Sequence, residues 1–324
     1  MKAIRIHTLG GPQVMQLEAV SIADPGAGEI QIRHTAIGLN FIDVYFRTGL
    51  YPAPALPFTP GFEGAGVVAA VGDGVTGFKV GDRVATNTRS LGAYAERRNV
   101  AADRVVSLPS DIDDDTAAAV MLKGMTAEYL VRRTYPVTAA DTLLVYAAAG
   151  GVGQLLTQWA HGLGAAVIAV VGNDDKAQIA RDCGADHVID RRRDDVVKAV
   201  KTITDGRGVD VVYDAVGQAT FEASLDCLRP RGVMVSYGNA SGAVDAFNPM
   251  LLSAKGSLYL TRPTLYDYVS TREALLDSAA AVFDGIRSGM LQPRISQTYA
   301  LADVAAAHRD LEAGNTTGCT IIHP

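Results

Sequence analysis

Residues 141–176, DTLLVYAAAGGVGQLLTQWAHGLGAAVIAVVGNDDK, contain the pattern that decides the fold. Residues 142–147 are a short apolar run rich in Leu and Val, which is typical of a strand buried on both faces of a parallel sheet. A glycine-rich turn follows, and apolar residues then recur at helical spacing over residues 154–163. Gly164 ends that helix before a second apolar run at residues 165–171. The stretch therefore predicts one strand–helix–strand unit.

The turn of this unit has the spacing of a dinucleotide-binding loop. Ala148, Gly150 and Gly153 occupy the three slots of G-x-G-x-x-G, with Ala in the first. Gly150 and Gly151 let the backbone approach a pyrophosphate, and Gly153 lets the helix pack closely on the strand. The helix N-terminus adds N–H groups and the positive end of its dipole. An ordinary turn also fits such a loop, but the flanking strands and helix favour a dinucleotide site.

The end of the second strand indicates which dinucleotide binds. NAD sites usually place Asp or Glu there to bind the ribose hydroxyl, whereas this chain has Gly172 and Asn173. Without that carboxylate, a 2′-phosphate is not repelled. Lys176 and the arginines at residues 191–193 lie where cations could bind it. We therefore predict a preference for NADPH.

Two alternatives at this point stay open. Asp174 or Asp175 could turn inward and accept a hydrogen bond from the ribose. Arg192 and Arg193 could belong to an ordinary solvated surface turn rather than to a phosphate site.

Composition excludes several classes of protein. The chain has 324 residues, of which 48% are apolar and 20% charged, as expected for a globular protein of about two domains. A formal net charge of −6 gives no basic surface for nucleic acid. Three cysteines, Cys183, Cys227 and Cys319, are too few and too scattered for a disulfide framework or a metal cage. The start of the chain lacks an apolar signal core, and no apolar run is long enough to span a membrane, so we expect a cytoplasmic protein.

The first 122 residues have a different pattern. Short β-like runs at residues 30–37, 64–71 and 83–86 are separated by Gly and Pro turns. Residues 71–84, VGDGVTGFKVGDRV, combine four glycines with close connections, as a small antiparallel barrel requires. The last two predicted strands of the chain are too short to extend a parallel sheet, so we expect them to return to this domain.

Residues 40–60, NFIDVYFRTGLYPAPALPFTP, join a short helix to a proline-rich loop. Loops carried on a rigid barrel are a usual place for substrate contacts. The alternative is a stiff connector whose tyrosines only cover the core.

The α/β alternation continues through the middle of the chain. Strands predicted at residues 209–214 and 232–237 are followed by Gly217 and by the turn at residues 237–241. In an open parallel sheet the ligand crosses the carboxyl ends of the strands, so these residues should face the cofactor. Plain turn chemistry would also explain them.

Several motifs match one known family. Residues 61–66, GFEGAG, with Gly72 and Val75, fit the pattern G-H-E-x2-G-x5-G-x2-V except that Phe62 replaces the His. Leu144, residues 148–151, Gly153 and Gln158 match a quinone-reductase signature, from which Ala140 and His161 depart. GLNFIDVYFRTGLYP, LKGMTAEYL, VVYDAVG, SYGNASG and GSLYLTRP add further matches. Over its whole length the chain thus resembles the medium-chain dehydrogenase/reductase superfamily and, within it, the zinc-free quinone oxidoreductases related to zeta-crystallin.

The resemblance also shows where zinc ligands are missing. Phe62 stands at the position of the ligating His, Asn40 stands at that of the ligating Cys, and no four-cysteine lobe is present. This donor set predicts that no metal is bound. Glu63, with no metal to serve, is expected to be a structural hydrogen-bonding residue.

The resemblance implies a GroES-like β-barrel catalytic domain at residues 1–122 and 263–324. It implies a Rossmann NADPH-binding domain, a doubly wound parallel sheet, at residues 123–262. It further implies a homodimer joined through the Rossmann domain, with a strand near residues 251–260 at the interface. Arg191 stands where relatives usually have Tyr beside the 2′-phosphate. The implied cofactor contacts are Asn40, Tyr45, Lys123, Thr126, Gly151, Val152, Gly172, Lys176, Gly217, Tyr237, Asn239, Ser241, Arg262 and Pro263; Gly150, Asn173 and Arg191 join them from the loop positions.

The implied chemistry is hydride transfer from NADPH to a quinone, which accepts hydride without a metal because aromatisation drives the reaction. Asn40, Tyr45 and Tyr51 are the candidate catalytic residues, which would orient the quinone or donate hydrogen bonds to it. No residue is compelling as a general acid, and water could serve. Two alternatives are reduction of an activated C=C bond, in enones or enoyl thioesters, and a non-catalytic NADPH-binding protein.

Overall fold

Two large β-sheets, one mostly antiparallel and one parallel, organise the chain in this computed structural model. The structure describes all 324 residues. The first unit comprises Met1–Met125, Tyr268–Phe283 and Pro293–Pro324, and the second comprises Thr126–Asp267 and Asp284–Gln292.

The first unit contains the mostly antiparallel sheet. Strands β1 (Lys2–Ile6) and β2 (Met15–Ala19) form a separate antiparallel pair. The strand order of the main sheet is β14-β15-β3-β4-β5-β7, and β6 pairs with β3. The bounds of its strands are β3 (Glu29–Gly38), β4 (Glu63–Val71), β5 (Arg83–Asn87), β6 (Arg97–Ala101), β7 (Val105–Ser107), β14 (Ile295–Ala300) and β15 (Cys319–His323). Alternating Ile and Val side chains of β3, β4 and β5 fill its core.

The predicted return of the C-terminal strands to this domain is confirmed. Strand β15 pairs antiparallel with β3, and β14 pairs parallel with β15. Residues 284–292, however, belong to the second unit. There Gln292 N donates to Gln158 Oε1 at 2.9 Å, and Gln158 Nε2 donates to Gln292 O at 3.3 Å.

Helices of the first unit connect or cover its strands. The acidic run at residues 111–115 leads into α2 (Asp114–Val120), and the Asp113 side chain accepts the Thr116 N–H at the N-terminus of this helix. The helices of this unit are α1 (Phe41–Thr48), α2 (Asp114–Val120), α10 (Arg272–Arg287), whose last turn lies in the second unit, and α11 (Val304–Glu312); α3 (Lys123–Tyr129) runs across the unit boundary into a π-helical turn (Leu130–Thr134).

The second unit is built on a six-stranded parallel sheet of order β10-β9-β8-β11-β12-β13. Its strands are β8 (Thr142–Tyr146), β9 (Ala166–Val171), β10 (His187–Asp190), β11 (Val209–Asp214), β12 (Leu228–Ser236) and β13 (Tyr259–Thr261). Its helices are α4 (Gly151–Gly162), α5 (Asp174–Asp182), α6 (Val196–Ile203), α7 (Phe221–Cys227), α8 (Met250–Ala254) and α9 (Leu265–Tyr268). Fully buried Val, Leu and Ile side chains of the central strands explain why these strands appear as continuous apolar runs.

Local structure sets the bounds of two elements in this unit. Helix α5 begins at Asp174, because the Asn173 side chain caps it by accepting the Lys176 N–H at 2.8 Å. The strand expected near residues 251–260 is confirmed at the end of that range, where Tyr259–Thr261 forms the edge strand, whereas Met250–Ala254 is helical.

None of the helices combines the length and the apolar character needed to cross a lipid bilayer.

Candidate functional site

The glycine turn after β8 has the geometry that its spacing predicts. Gly150 is the N-cap of α4, and its N–H donates to Ala147 O at 2.9 Å. A Cβ added to Gly153 would lie 2.3 Å from Ala147 O and 2.8 Å from Ala148 Cα. No side chain fits there, so glycine allows the start of α4 to pack directly on the turn. The first residues of the helix, Gly151 among them, carry N–H groups with no partner inside the helix, as an anion site requires.

Gln154 supports this turn from within the protein. Its side chain is buried, and Nε2 donates to Ala149 O at 2.8 Å. The bond fixes one carbonyl of the turn from the first turn of α4. The sequence assigns no role to Gln154. The only feature that distinguishes it there is a polar amide on a helix face that is otherwise apolar.

Two basic side chains gather at the carboxyl ends of β9 and β10. Arg191 follows β10, and its Nε lies 3.6 Å from where a Cβ on Gly172 would stand. Burial lowers the pKa of Lys176, and the nearby charge of Arg191 lowers it further. The mutual repulsion of two cations favours an anion between or beside them. Asn173 is here the cap of α5, which explains its identity without a ligand.

The neighbouring arginines are engaged by carboxylates instead. Arg192 Nη2 lies 2.7 Å from Asp190 Oδ2, and the side-chain hydrogen bond from Arg192 lowers the pKa of Asp190 to about 2. Arg193 Nη2 lies 2.7 Å from Asp174 Oδ2. The surface-turn alternative therefore describes Arg192 and Arg193, and the carboxylate of Asp174 is turned towards an arginine.

The loop after β11 is held by one buried carboxylate. Asp214 Oδ1 accepts the N–H groups of Val216 and Gly217 at 2.6 and 3.1 Å. Asp214 Oδ2 accepts the hydroxyls of Thr220 and Ser224 at 2.7 and 2.8 Å. Gly217 has φ +92°, and a Cβ there would lie 2.6 Å from Gly242 O, so only glycine suits the position.

The loops after β12 and β13 lie at the same edge of the sheet. Ser241 Oγ donates to Val216 O at 2.8 Å and accepts the Ala219 N–H at 3.0 Å, which ties this loop to the one after β11. Arg262 Nη1 donates to Ser236 O at 2.8 Å. The parallel strand order brings the predicted nucleotide residues of these loops to one edge: Gly172, Arg191, Gly217, Tyr237, Asn239, Ser241, Arg262 and Pro263. Thr126, in α3, is buried.

In the first unit, α1 gathers the three candidate catalytic residues. Asn40 is the N-cap of α1, and its backbone N–H donates to Asp43 Oδ2 at 2.8 Å. Tyr45 lies on the helix, and the Tyr51 N–H beyond it donates to Tyr45 O at 3.0 Å. The rings of Tyr45 and Tyr51 lie 5.1 Å apart. The N-terminus of α1, the helix itself and the segment just after it thus bring together Asn40, Tyr45 and Tyr51.

The amide of Asn40 also belongs to a buried polar cluster. Asn40 Nδ2 donates to Glu63 Oε1 at 2.7 Å, and Lys123 Nζ lies 3.0 Å from the same oxygen. The Leu122 N–H donates to the other carboxylate oxygen of Glu63. Glu63 is thus the hydrogen-bonding centre that was predicted, although its partners were not. Burial lowers the pKa of Lys123, but the Glu63 carboxylate and the other acidic groups around the ammonium together outweigh burial and raise it.

A second set of hydrogen bonds extends this cluster. Tyr94 Oη donates to Asp43 Oδ2 at 2.9 Å, and it lies 3.1 Å from His308 Nε2. Asp43 is fully buried, and its Oδ1 has no hydrogen-bond partner. Burial raises the pKa of Asp43 to about 7. The spacing of Asn40 and Asp43 in a capping box was the one sequence signal that could have pointed to this carboxyl.

The donor set around Phe62 does not suit a metal ion. Phe62 is buried, and its ring lies 5.3 Å from that of Phe46. Asn40 and Lys123 offer an amide and an ammonium beside Glu63, and an ammonium cannot ligate a metal. No three His, Cys, Asp or Glu side chains meet in an arrangement that could hold a metal ion.

Comparisons with known proteins agree with both halves of this arrangement. A family model described as the alcohol dehydrogenase GroES-like domain matches residues 26–139, and one described as zinc-binding dehydrogenase matches residues 151–279. The predicted fold class, a GroES-like barrel domain with a Rossmann domain, is thereby confirmed.

Single proteins match over the whole chain. A quinone oxidoreductase from Pseudomonas aeruginosa is 50% identical over 100% of this chain and 99% of its own length. A 2-haloacrylate reductase from a Burkholderia species is 43% identical over 98% of both chains. The crystal structure of Escherichia coli quinone oxidoreductase complexed with NADPH superposes with a TM-score of 0.98 at 47% identity, covering 100% of both chains.

Proposed function

This chain belongs to the quinone oxidoreductases of the medium-chain dehydrogenase/reductase superfamily, and from that premise we propose that it is an enzyme that reduces quinones with NADPH. The observation that carries the proposal is the glycine turn, together with the two cations at neighbouring strand ends. The turn suits a pyrophosphate, and the cations suit a 2′-phosphate. The Escherichia coli quinone oxidoreductase whose crystal structure superposes with this chain was solved complexed with NADPH.

Residues of the second unit would hold the cofactor. Gly150, Gly151 and Val152 would receive the pyrophosphate, and Lys176 and Arg191 the 2′-phosphate. The cofactor's contacts in this unit would be completed by Thr126 and by the loops that carry Gly172, Asn173, Gly217, Tyr237, Asn239, Ser241, Arg262 and Pro263. When bound, NADPH supplies the hydride.

Residues of the first unit would orient the acceptor. We assign Asn40, Tyr45 and Tyr51 this role and propose that no zinc takes part, because amide and aromatic side chains stand at the ligand positions. A quinone suits such a site, since it accepts hydride without a Lewis acid. We assign the catalytic domain to residues 1–122 and 263–324 and the cofactor domain to residues 123–262.

One observation favours a second activity. The 43% identity to a 2-haloacrylate reductase supports reduction of an activated C=C bond as the alternative, because the same hydride donor serves both acceptors.

Stopped-flow oxidation of NADPH by the purified protein tests the function. The panel contains quinones, enones, a 2-haloacrylate and aldehydes, each with and without a chelator. We expect rapid oxidation with quinones, unchanged by the chelator. Faster oxidation with 2-haloacrylate would favour the alternative, and tight NADPH binding with no turnover on the whole panel would identify a non-catalytic binding protein.

The role of Tyr51 has its own test. Tyr51→Phe removes the hydroxyl and keeps the ring that packs 5.1 Å from Tyr45. If the hydroxyl contacts the acceptor, the single-turnover hydride rate should fall; an unchanged rate would remove Tyr51 from the mechanism.

We further propose a cytoplasmic homodimer joined through the edge of the parallel sheet. Tyr259 on the edge strand β13 is 60% exposed and Met250 on α8 is 74% exposed, and large exposed apolar side chains at a sheet edge are typical of an interface. Sedimentation analysis should give the mass of a dimer, and Tyr259→Lys should shift it towards monomer.

A further inference from the structure

The buried ammonium of Lys123 forms an ion pair with a buried carboxylate in the first unit. Its side chain is 7% exposed, and the carboxylate that it meets, Glu63, is fully buried. Removing both charges from water is costly, and apolar residues of similar volume often replace such pairs with no loss of stability. A buried pair is therefore weak evidence for a purely structural role.

Not all N–H donors of the Lys123 ammonium are used by hydrogen bonds within the protein. An ammonium carries three N–H donors, and the structure gives Nζ one acceptor, Glu63 Oε1, at 3.0 Å. Glu63 in turn accepts from Asn40 Nδ2 and from the Leu122 N–H. The pair thus fixes Nζ in place while leaving donors for another oxygen.

The Lys123 ammonium lies close to the residues that we assign to the acceptor. Glu63 bonds both Lys123 and Asn40, and Asn40 caps the helix that carries Tyr45. The fixed positive charge is therefore two hydrogen bonds away from the side chains to which we assign the acceptor. The titratable groups near Lys123 are Glu63, Cys319 and Asp43, which lie on β4, β15 and α1.

We propose that Lys123 is a catalytic residue whose ammonium donates a hydrogen bond to the acceptor oxygen on which negative charge develops. This inference rests on the proposed function and deepens it. A hydride carries two electrons and one proton. A quinone that gains one hydride becomes a hydroquinone monoanion, and NADPH becomes NADP⁺. Lys123 stabilises that anion and keeps its own proton, since Glu63 favours the charged amine; water supplies the proton that completes the quinol. Fixed charges of this kind act most strongly where water is excluded.

The test uses an oxyanion probe on the full-length chain without cofactor. The probe is 4-nitrophenol, a planar ring whose ionised form absorbs visible light, so its pKa can be titrated when bound. A cation within hydrogen-bonding distance should lower the pKa of the bound probe by roughly 1 to 3 units. Lys123→Met should abolish that shift, and Lys123→Arg should retain most of it.

A double variant protects the test against misfolding. Lys123→Met leaves Glu63 as a buried carboxylate without its cation, whereas Lys123→Met with Glu63→Gln removes both charges and keeps the volume. The double variant should fold and should also lack the shift. A probe that fails to bind the wild-type chain, or that titrates alike in wild type and double variant, would overturn the inference.

A third measurement separates the acceptor from the cofactor. NADPH affinity is measured by fluorescence in wild type and double variant, because the family resemblance also implies a cofactor contact by Lys123. A large loss of NADPH affinity with no change in probe pKa would mean that Lys123 serves the cofactor alone, which overturns the inference. Wild-type turnover of quinones is measured separately, so the proposed function can stand while the role of Lys123 fails.

Discussion

The two candidate sites of this protein are built in opposite ways. The nucleotide turn of the second unit consists of backbone from one continuous segment, in which Ala147 O accepts the Gly150 N–H and also lies close to Gly153. The polar cluster of the first unit consists of side chains brought together from α1, β4 and α3, and Glu63 lies 60 residues from Lys123 in sequence. A backbone site tolerates many side chains but few changes at glycine. A side-chain site depends on the balance of its charges.

Breaking that balance should have the largest effect. Glu63→Gln keeps the shape of the side chain but leaves the buried ammonium of Lys123 without its anion. Removing one partner of a buried pair costs about 3 to 5 kcal/mol, so the free energy of unfolding should fall by about that amount in urea titrations. Glu273→Gln, on an exposed residue of α10, is the matched control and should change little. Equal stability of the two variants would contradict the view that Glu63 balances the cluster.

The second prediction concerns the pH dependence of stability that Asp43 gives to the polar cluster of the first unit. Burial raises the pKa of Asp43 from 3.8 to about 7, so the folded state holds this proton more tightly than the unfolded state. The resulting stabilisation is fully present below the unfolded pKa and is lost as the pH rises to about 7. At about 1.4 kcal/mol per pKa unit its upper bound is about 4 kcal/mol.

Asp43→Asn removes this titration from the cluster. Its free energy of unfolding should fall less steeply than that of the wild type between about pH 4 and pH 7. Asp73→Asn, on an exposed turn, should leave the slope as it is. Parallel curves for wild type and Asp43→Asn would show that the carboxyl titrates normally.

The backbone site should break at a single methyl group. Gly153→Ala places a Cβ 2.3 Å from Ala147 O, which forces the turn to shift and should cost about 1 to 3 kcal/mol of stability, with weaker NADPH binding. Gly77→Ala is the control, because a Cβ there meets no atom within 4 Å. Calorimetry and NADPH titration of both variants decide the matter; a Gly153→Ala protein with wild-type affinity would refute the assigned role of the turn.

The smallest effect concerns cofactor choice. Lys176→Ala should cost about 1 to 3 kcal/mol of NADPH binding, as other charge-assisted hydrogen bonds do, and should leave NADH binding unchanged. Arg192→Ala should affect neither cofactor, because Asp190 holds the guanidinium. Equal losses for NADPH and NADH in Lys176→Ala would place the 2′-phosphate elsewhere.

The same contrast explains what the sequence could predict. Glycine spacing and apolar periodicity are local, so the strand–helix–strand unit, the parallel sheet and the turn at residues 148–153 followed from them. The role of Glu63 as a hydrogen-bonding centre was predicted, but its bonds to Asn40 and Lys123 depend on how β4 packs against α1 and α3. Tyr94 and His308 are 214 residues apart. Their contact comes from tertiary packing, of which a single sequence carries no periodic trace.

The carboxylate of Asp214 has a consequence for the energetics of association. Because it already engages four donors of the segment that includes Gly217, that segment is preorganised before any nucleotide arrives. Ordering a flexible loop would consume part of the interaction energy as lost conformational entropy. A protein with this loop fixed in advance can retain that energy as affinity. The heat-capacity change on nucleotide binding should therefore include no large contribution from coupled folding.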